Sequence, residues 1–327
     1  METICIQNLK KYYKVHKKES GVKGSIKTLF KREYYDVKAV DDISLSINEG
    51  EIVGFVGPNG AGKTTTLKCL SGLLYPTSGN VSVLGFNPFE RKSDFLKQIS
   101  IVMGQKNQLW WDLPSIETFE LNKEIYEIDD NVYKETLDLL VEMLDVKDLL
   151  NVQVRKLSLG QRMKMELIAG LIHRPKVLFL DEPTIGLDVV IQKRLRDFIK
   201  TYNKQFNSTI ILTSHNMDDV KEVCERIVII DSGKLVFDNS FENLIVKYAN
   251  HKLITVTVDS PVKIDMVNKY GIVKDIENLR FIVSVQKDHV IDTAREIMQD
   301  FSVIDLNIEE PKVEDIISEI FSGKDLS

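Results

Sequence analysis

The stretch Gly57-Pro58-Asn59-Gly60-Ala61-Gly62-Lys63-Thr64 decides the fold of this chain, because it is a complete G-x-x-x-x-G-K-[ST] phosphate-binding loop. Residues 52–56 before it form a short apolar run that predicts a buried strand. Residues 65–74 after it carry leucines at helical spacing. In this context the backbone N–H groups of the turn and the start of the helix bind phosphate. The sequence therefore predicts a site for a nucleoside triphosphate.

Composition limits the classes of function that remain. The 327 residues include 43 Lys and Arg against 49 Asp and Glu, a net charge of −6 that argues against a general nucleic-acid binder. The three cysteines lack metal-ligand spacing and suit a reduced intracellular protein. We see no signal peptide and no apolar run near the roughly 20 residues that span a bilayer. Any membrane part is therefore expected to come from another chain.

Apolar strands alternate with helical segments, which predicts an α/β fold with a mostly parallel sheet covered on both faces. Residues 2–9 are interpreted as an edge strand. The runs at 177–180 and 209–212 are interpreted as buried strands, and they end in Asp181-Glu182 and Ser214-His215. Because the carboxyl ends of parallel strands meet at one edge of the sheet, we expect Asp181, Glu182 and His215 beside the phosphate-binding loop.

Two domains are predicted. Residues 1–240 form the nucleotide-binding part, with a helical subdomain at about 87–173 that contains helices over 115–128 and 131–150. After residue 240 the pattern changes to β-α-β-β-α-β, which predicts a small accessory α+β domain over 241–327. That domain carries no catalytic motif, so we expect it to act in regulation or in dimer stability.

Two surface features remain open at this stage. The insertion at about 14–35 has seven basic residues against two acidic ones, and residues 25–32 could form a short amphipathic helix. This insertion is either a solvated surface segment or a contact with anionic lipid or a membrane partner. Trp110 and Trp111, the two tryptophans of the chain, either pack within the helical block or form an interface.

The order and spacing of these motifs resemble the ATP-binding cassette of the ABC superfamily over residues 2–240. Besides the phosphate-binding loop, the resemblance depends on four motifs: Leu157-Ser158-Leu159-Gly160-Gln161, Leu180-Asp181-Glu182-Pro183, Gly186-Leu187-Asp188 and His215. One position departs from the family pattern, which usually has glycine where this chain has Leu159. We expect retained activity despite this side chain.

The resemblance implies a role for each residue of one nucleotide site. Tyr13 would stack on adenine, with Tyr12 as the second choice, and the phosphate-binding loop together with Thr65 would hold the phosphates. The implied Mg²⁺ ligands are Thr64, Gln105 and, through water, Asp181. The implied catalytic residues are Lys63, Gln105, Glu182 as general base and His215 as the switch that contacts the γ-phosphate.

The resemblance also implies residues that act across a dimer. Ser158, Gly160 and Gln161 would contact the nucleotide of the opposite subunit, and Asp188 would couple the two sites. The second subunit would be another copy of the chain or a paralogous ATPase.

Within the superfamily the loop, the turn at Gly85 and the C-terminal extension resemble ATPases of ABC-2 type exporters, in the bacterial branch of drug and viologen exporters. The resemblance implies an Mg²⁺-dependent ATPase bound to separate transmembrane permease subunits at the cytoplasmic face of the membrane. The alternatives are an importer subunit and a soluble ABC-type ATPase acting on ribosomes or DNA. A single cassette without a long coiled coil favours the transporter. Lys63, Asp181, Glu182 and His215 argue against an inert regulatory subunit.

Overall fold

The computed structural model describes residues 1–16 and 34–321, which belong to two compact units, Met1–Asn239 and Ser240–Ser327. The helix expected at residues 25–32 lies outside the described residues. The ends of the insertion expected at about 14–35 are strand, because Lys14 pairs with Asp36 and His16 pairs with Tyr34. Among the described residues, every helix is too short or too polar to cross a lipid bilayer.

The main sheet of the first unit confirms the predicted α/β class. The strands of this unit are β1 (Glu2–His16), β2 (Tyr34–Asn48), β3 (Ile52–Val56), β4 (Ser78–Val83), β5 (Ile99–Met103), β6 (Val177–Asp181), β7 (Thr209–Thr213), β8 (Arg226–Asp231) and β9 (Lys234–Ser240). Strands β5, β6, β7, β3, β8 and β9 form one sheet in that order, and from β5 to β8 neighbouring strands are parallel. The central residues of β3, β6, β7 and β8 are buried, which explains why these strands are continuous apolar runs instead of alternating ones.

A separate antiparallel sheet has the order β2, β1, β4 and corrects one prediction. Strand β1 was predicted at residues 2–9 as an edge strand, but it continues to His16 and lies between two partners. Its buried residues Ile4 and Ile6 alternate as expected, and Leu9 is buried after a register shift between Ile6 and Leu9. The side-chain pattern shows only which face of β1 is buried. It does not show that β2 and β4 pair with the two edges of β1, because strands pair through backbone hydrogen bonds.

The helices of the first unit are α1 (Lys63–Leu70), α2 (Ser93–Leu96), α3 (Ser115–Tyr126), α4 (Asp130–Leu144), α5 (Leu159–Leu171), α6 (Val189–Phe206) and α7 (Met217–Val223). Three of them end earlier than predicted, and the smallest difference is at α3, which stops at Tyr126 instead of residue 128. Helix α1 stops at Leu70 instead of residue 74, just before Gly72 takes a left-handed φ of 71°. Helix α4 stops at Leu144 instead of residue 150, because Asp145 takes a left-handed φ of 53°.

The second unit shows the β-α-β-β-α-β order expected from the sequence. Its elements are α8 (Phe241–Tyr248), β10 (His251–Val258), α9 (Ile264–Val267), β11 (Ile272–Glu277), β12 (Arg280–Gln286), α10 (Val290–Asp300), β13 (Val303–Glu309) and α11 (Val313–Phe321). The strands form an antiparallel sheet in the order β11, β12, β10, β13. Alternate residues of β10 and β12, such as Val256 and Val283, are fully buried with Ile297 of α10 in one core.

Candidate functional site

The phosphate-binding loop joins β3 to α1 and encloses the Lys63 ammonium group. Lys63 is only 6% exposed, and its Nζ donates hydrogen bonds to the carbonyl oxygens of Gly57 at 2.6 Å and Pro58 at 3.1 Å. Burial lowers the pKa of Lys63, while the charges of Glu182 and Asp181 oppose that shift. The Lys63 ammonium group is therefore held against the backbone of the loop. Charged phosphate oxygens would be stronger hydrogen-bond acceptors for it than these carbonyl oxygens.

Two glycines of this loop are required by backbone geometry. Gly62 immediately precedes α1 with a φ of 108°, a conformation that residues with a side chain rarely adopt. A Cβ atom at Gly57 would lie 2.1 Å from the carbonyl oxygen of Ile230. Strand β8 therefore packs directly against the start of the loop, and no larger residue fits there.

The carboxylate of Asp181 lies beside the hydroxyl group of Thr64. Thr64 Oγ1 is 2.9 Å from both carboxylate oxygens of Asp181, and Thr213 Oγ1 donates to Asp181 Oδ1 at 2.7 Å. The backbone N–H of Glu182 donates to the same Thr213 hydroxyl at 3.1 Å. The hydroxyl groups of Thr64 and Thr213 therefore partly satisfy the Asp181 carboxylate, whose burial without partners would be costly.

Glu182, Gln105 and His215 meet at the same edge of the sheet. The Glu182 carboxylate is 3.4 Å from Gln105 Nε2 and 3.7 Å from His215 Nδ1. With Asn59, Thr64 and Asp181, these residues line a cleft of about 510 Å³. The predicted meeting of Asp181, Glu182 and His215 beside the loop is present in the structure.

The backbone at Glu182 is strained, because its φ of 53° lies in the left-handed region that non-glycine residues rarely occupy. A Cβ atom at Gly104 would lie 2.0 Å from the Glu182 carbonyl oxygen. Glycine at position 104 therefore allows the segment that carries Gln105 to approach Glu182. Strain of this kind is often found where a catalytic side chain must be aimed.

The donor set beside the loop fits Mg²⁺. Mg²⁺ prefers oxygen ligands and usually binds to one or two protein groups together with phosphates and water. The Thr64 hydroxyl and the Asp181 carboxylate are such ligands and are already in contact. In the part of the chain that the structure describes, no group of three or more His, Cys, Asp or Glu residues could hold a metal ion. A Mg²⁺ ion held by the Thr64 and Asp181 oxygens would take its remaining ligands from phosphate and water.

Sequence reasoning missed Asp219, which links the segment after Glu182 to the segment before His215. Asp219 is 1% exposed and accepts hydrogen bonds from Thr184, from Ser214 Oγ at 3.0 Å and from Arg196 at 2.8 Å. Thr184 follows Glu182 by two residues, and Ser214 directly precedes His215. No local signal marks this residue, because two of its partners, Thr184 and Arg196, come from distant parts of the chain.

The residues expected to act across a dimer do not line this cleft. Ser158 and Asp188 are exposed N-caps of α5 and α6. The Gln161 side chain accepts a hydrogen bond from the Ser158 N–H at 2.9 Å and completes a capping box, so it also has a structural role. Leu159 is 39% exposed and lies over Gly186, where a Cβ atom would be 3.2 Å from Leu159 Cδ2.

The two tyrosines of β1 differ in their surroundings. The Tyr12 hydroxyl donates a hydrogen bond to Asp41, which raises the pKa of Tyr12 to about 12. Tyr13 is 39% exposed, and the Lys11 ammonium group lies 5.1 Å from the centre of its ring. The ring of Tyr13 is therefore the more accessible of the two for a planar ligand.

Comparisons with known proteins agree with this architecture. Residues 40–185 match the ABC transporter family, and residues 250–309 match the C-terminal domain of EvrA-like ABC transporters. The ABC transporter ATP-binding protein NatA of Bacillus subtilis is 33% identical over 64% of this chain and 84% of its own length. The bacitracin transport ATP-binding protein BcrA of Bacillus licheniformis is 34% identical over 68% of this chain and 70% of its own length.

A solved structure has the same fold. It is a dimeric ATP-binding cassette in a post-hydrolysis state bound to ADP and Pi, with a TM-score of 0.60 and 22% identity over 72% of this chain and 98% of its own. At this identity the likeness concerns the fold alone. The family match and the identity to NatA and BcrA go further: this chain belongs to the ATP-binding proteins of the ABC transporter family, which are ATPases.

Proposed function

We propose that this chain is the ATPase subunit of an exporter and drives transport through separate membrane-spanning subunits. The observation that carries the proposal is the single cleft that brings Thr64, Gln105, Asp181, Glu182 and His215 together beside the phosphate-binding loop. An inert regulatory subunit would not need this complete set. The exporter assignment is supported by the name of BcrA, a bacitracin transport protein, and by the resemblance of the loop to ABC-2 type ATPases.

The phosphate-binding loop and the five residues named above have separate roles in the proposed hydrolysis of ATP. The N–H groups of residues 57–65 and the Lys63 ammonium group bind the phosphates, as the buried position of Lys63 supports. Glu182 orients the attacking water. His215 and Gln105 lie next to Glu182 and contact the γ-phosphate. Mg²⁺, held by Thr64 and through water by Asp181, would neutralise charge on the phosphate oxygens.

We further propose that a complete site needs a second subunit, either another copy of the chain or a paralogous ATPase. The exposed hydroxyl group of Ser158 lies at the start of α5, two residues before the buried Gly160, and neither residue lines the cleft of its own subunit. A helix start with a serine hydroxyl is a good receptor for a γ-phosphate. In a head-to-tail dimer, each α5 would close the nucleotide site of the opposite subunit, with Asp188 linking the two sites.

The test of this function is to purify the tagged chain from membranes of its own source in mild detergent. We expect a polytopic membrane protein to co-purify, and we expect ATP hydrolysis by the complex to stop when Mg²⁺ is chelated. A position on the cytoplasmic face of the membrane predicts that alkaline carbonate releases the chain from the membrane fraction. Co-sedimentation with ribosomes or DNA, without any membrane protein, would contradict the exporter proposal.

Replacing Tyr13 by alanine tests the proposed adenine contact. Stacking of a base on an aromatic ring is worth about 1–3 kcal/mol, so Tyr13→Ala should weaken ATP binding by about tenfold or more. Tyr13→Trp should retain the affinity because it keeps a planar ring. Titration calorimetry with ATP checks both variants. Unchanged affinity in a folded Tyr13→Ala protein would contradict the assignment.

A further inference from the structure

The buried carboxylate of Glu166 has no part in the cleft or in the proposed chemistry. Glu166 lies in α5 and is 2% exposed. Its two oxygens accept hydrogen bonds from the backbone N–H of Gln108 at 3.1 and 3.0 Å, and one of them also accepts from the N–H of Leu109 at 3.4 Å. Burial raises the pKa of Glu166, and these hydrogen bonds oppose the shift. The buried Glu166 carboxylate therefore holds the backbone at Gln108 and Leu109 in place.

That piece of backbone follows Gln105, the residue expected to sense the γ-phosphate. Besides the contacts with Glu166, the Gln108 side chain donates to the carbonyl oxygen of Ile101 in β5 at 2.8 Å. Leu109 is 4% exposed, whereas Trp110 and Trp111 directly after it are 55% and 47% exposed. Glu166 therefore holds the base of the segment that presents the tryptophans.

A second contact joins the same two elements. The guanidinium carbon of Arg162 lies 5.4 Å from the centre of the Trp111 ring, a cation–π distance. Arg162 and Glu166 are four residues apart in α5 and share one face with Ser158, four residues earlier. One face of α5 therefore carries the proposed receptor for the partner's nucleotide and both contacts with the segment after Gln105.

We infer that Glu166 is a positioning residue that fastens residues 108–111 to helix α5, so that this segment and the Ser158 end of the helix move as one body. A nucleotide in the subunit's own cleft acts on this body through Gln105, and the opposite subunit's nucleotide acts on it through Ser158. The surface that carries Trp110 and Trp111 then moves when either of the two nucleotides binds. The attachment of residues 108–111 to α5 is a property of the free chain. Only the role of this attachment in transport depends on the proposed function.

The two tryptophans make the fastening measurable, because they are the only ones in the chain. The experiment compares the full-length wild type with E166A, E166Q and E166D, and uses E142A, an exposed glutamate in α4, as a matched control. For each protein we measure the melting temperature, acrylamide quenching of tryptophan fluorescence, and kcat and KM for ATP. Fluorescence requires neither a membrane partner nor export, so failure of the exporter proposal leaves this test intact.

We expect folded E166A to show at least twofold stronger quenching and about a tenfold lower kcat, with KM changed by less than twofold. E166Q should be close to wild type, because an amide oxygen in the position of Oε1 still accepts from the N–H groups of both Gln108 and Leu109. E166A that melts at a lower temperature but keeps wild-type quenching and kcat would reduce Glu166 to a structural residue and overturn the inference. An E166Q variant as defective as E166A would also overturn it.

If E166A does not fold, E166D decides the question. Its carboxylate is one methylene shorter and cannot hold both N–H groups at their present distances. Stronger quenching in folded E166D supports the inference, and wild-type quenching overturns it.

Discussion

Replacing Glu182 by glutamine is expected to lower the rate of ATP hydrolysis by about 10²–10⁴-fold while ATP binding is retained, as for the loss of a general base. The amide keeps the size of the side chain and its contact with Gln105, but it cannot accept a proton from water. Lys63 and the phosphate-binding loop are unchanged, so the affinity for ATP should stay within about threefold of wild type.

The same Glu182→Gln substitution should make the head-to-tail dimer long-lived, because the bound ATP that joins the subunits is no longer consumed. Light scattering in the presence of Mg²⁺ and ATP should show a dimer, which should disappear when the nucleotide is removed. Glu225→Gln, an exposed glutamate beyond α7, is the matched control and should behave as wild type. A Glu182→Gln protein that binds ATP but stays monomeric, even with its membrane partner, would contradict the dimer proposal.

The double substitution of Trp110 and Trp111 by alanine is expected to abolish both assembly with the membrane partner and export. Both rings are about half exposed although Leu109 beside them is buried, and exposed aromatic residues of this kind often anchor interfaces. Removing one such anchor costs about 2 kcal/mol or more, so losing both should reduce partner affinity by at least about 100-fold. Hydrolysis by the isolated chain should stay within about twofold of wild type.

The measurement compares co-purification of the membrane partner, export and basal ATP hydrolysis in the wild type and the double variant. Ile125→Ala is the control for the loss of an exposed apolar side chain elsewhere in the helical subdomain, where Ile125 is 59% exposed. Wild-type export together with a destabilised or inactive ATPase would show that the two rings serve the fold of the subunit instead of an interface.

The candidate cleft could be predicted from sequence because its residues lie at the ends of recognisable elements. Thr64 closes a loop whose residue types are required for phosphate binding. Asp181 is the last residue of the apolar strand at 177–181, and His215 follows the apolar strand at 209–213. Parallel strands place their carboxyl ends at one edge of a sheet, so the order of elements alone brings these side chains together. Where an element starts is more predictable than where it ends, as the early end of α4 at Leu144 shows.

The sequence by itself determined the α/β class, the meeting of the acidic pair with the phosphate-binding loop, and the β-α-β-β-α-β order after residue 240, because periodicity and local motifs carry this information. Only the tertiary structure decided that β1 lies inside its sheet, that Tyr12 is engaged by Asp41 while Tyr13 is exposed, and that Glu166 and Asp219 hold distant backbone and side chains in place. Each of these features depends on at least one partner 29 or more residues away or on backbone hydrogen bonds. A local pattern reports which face of an element is buried, but not which distant group will meet it there.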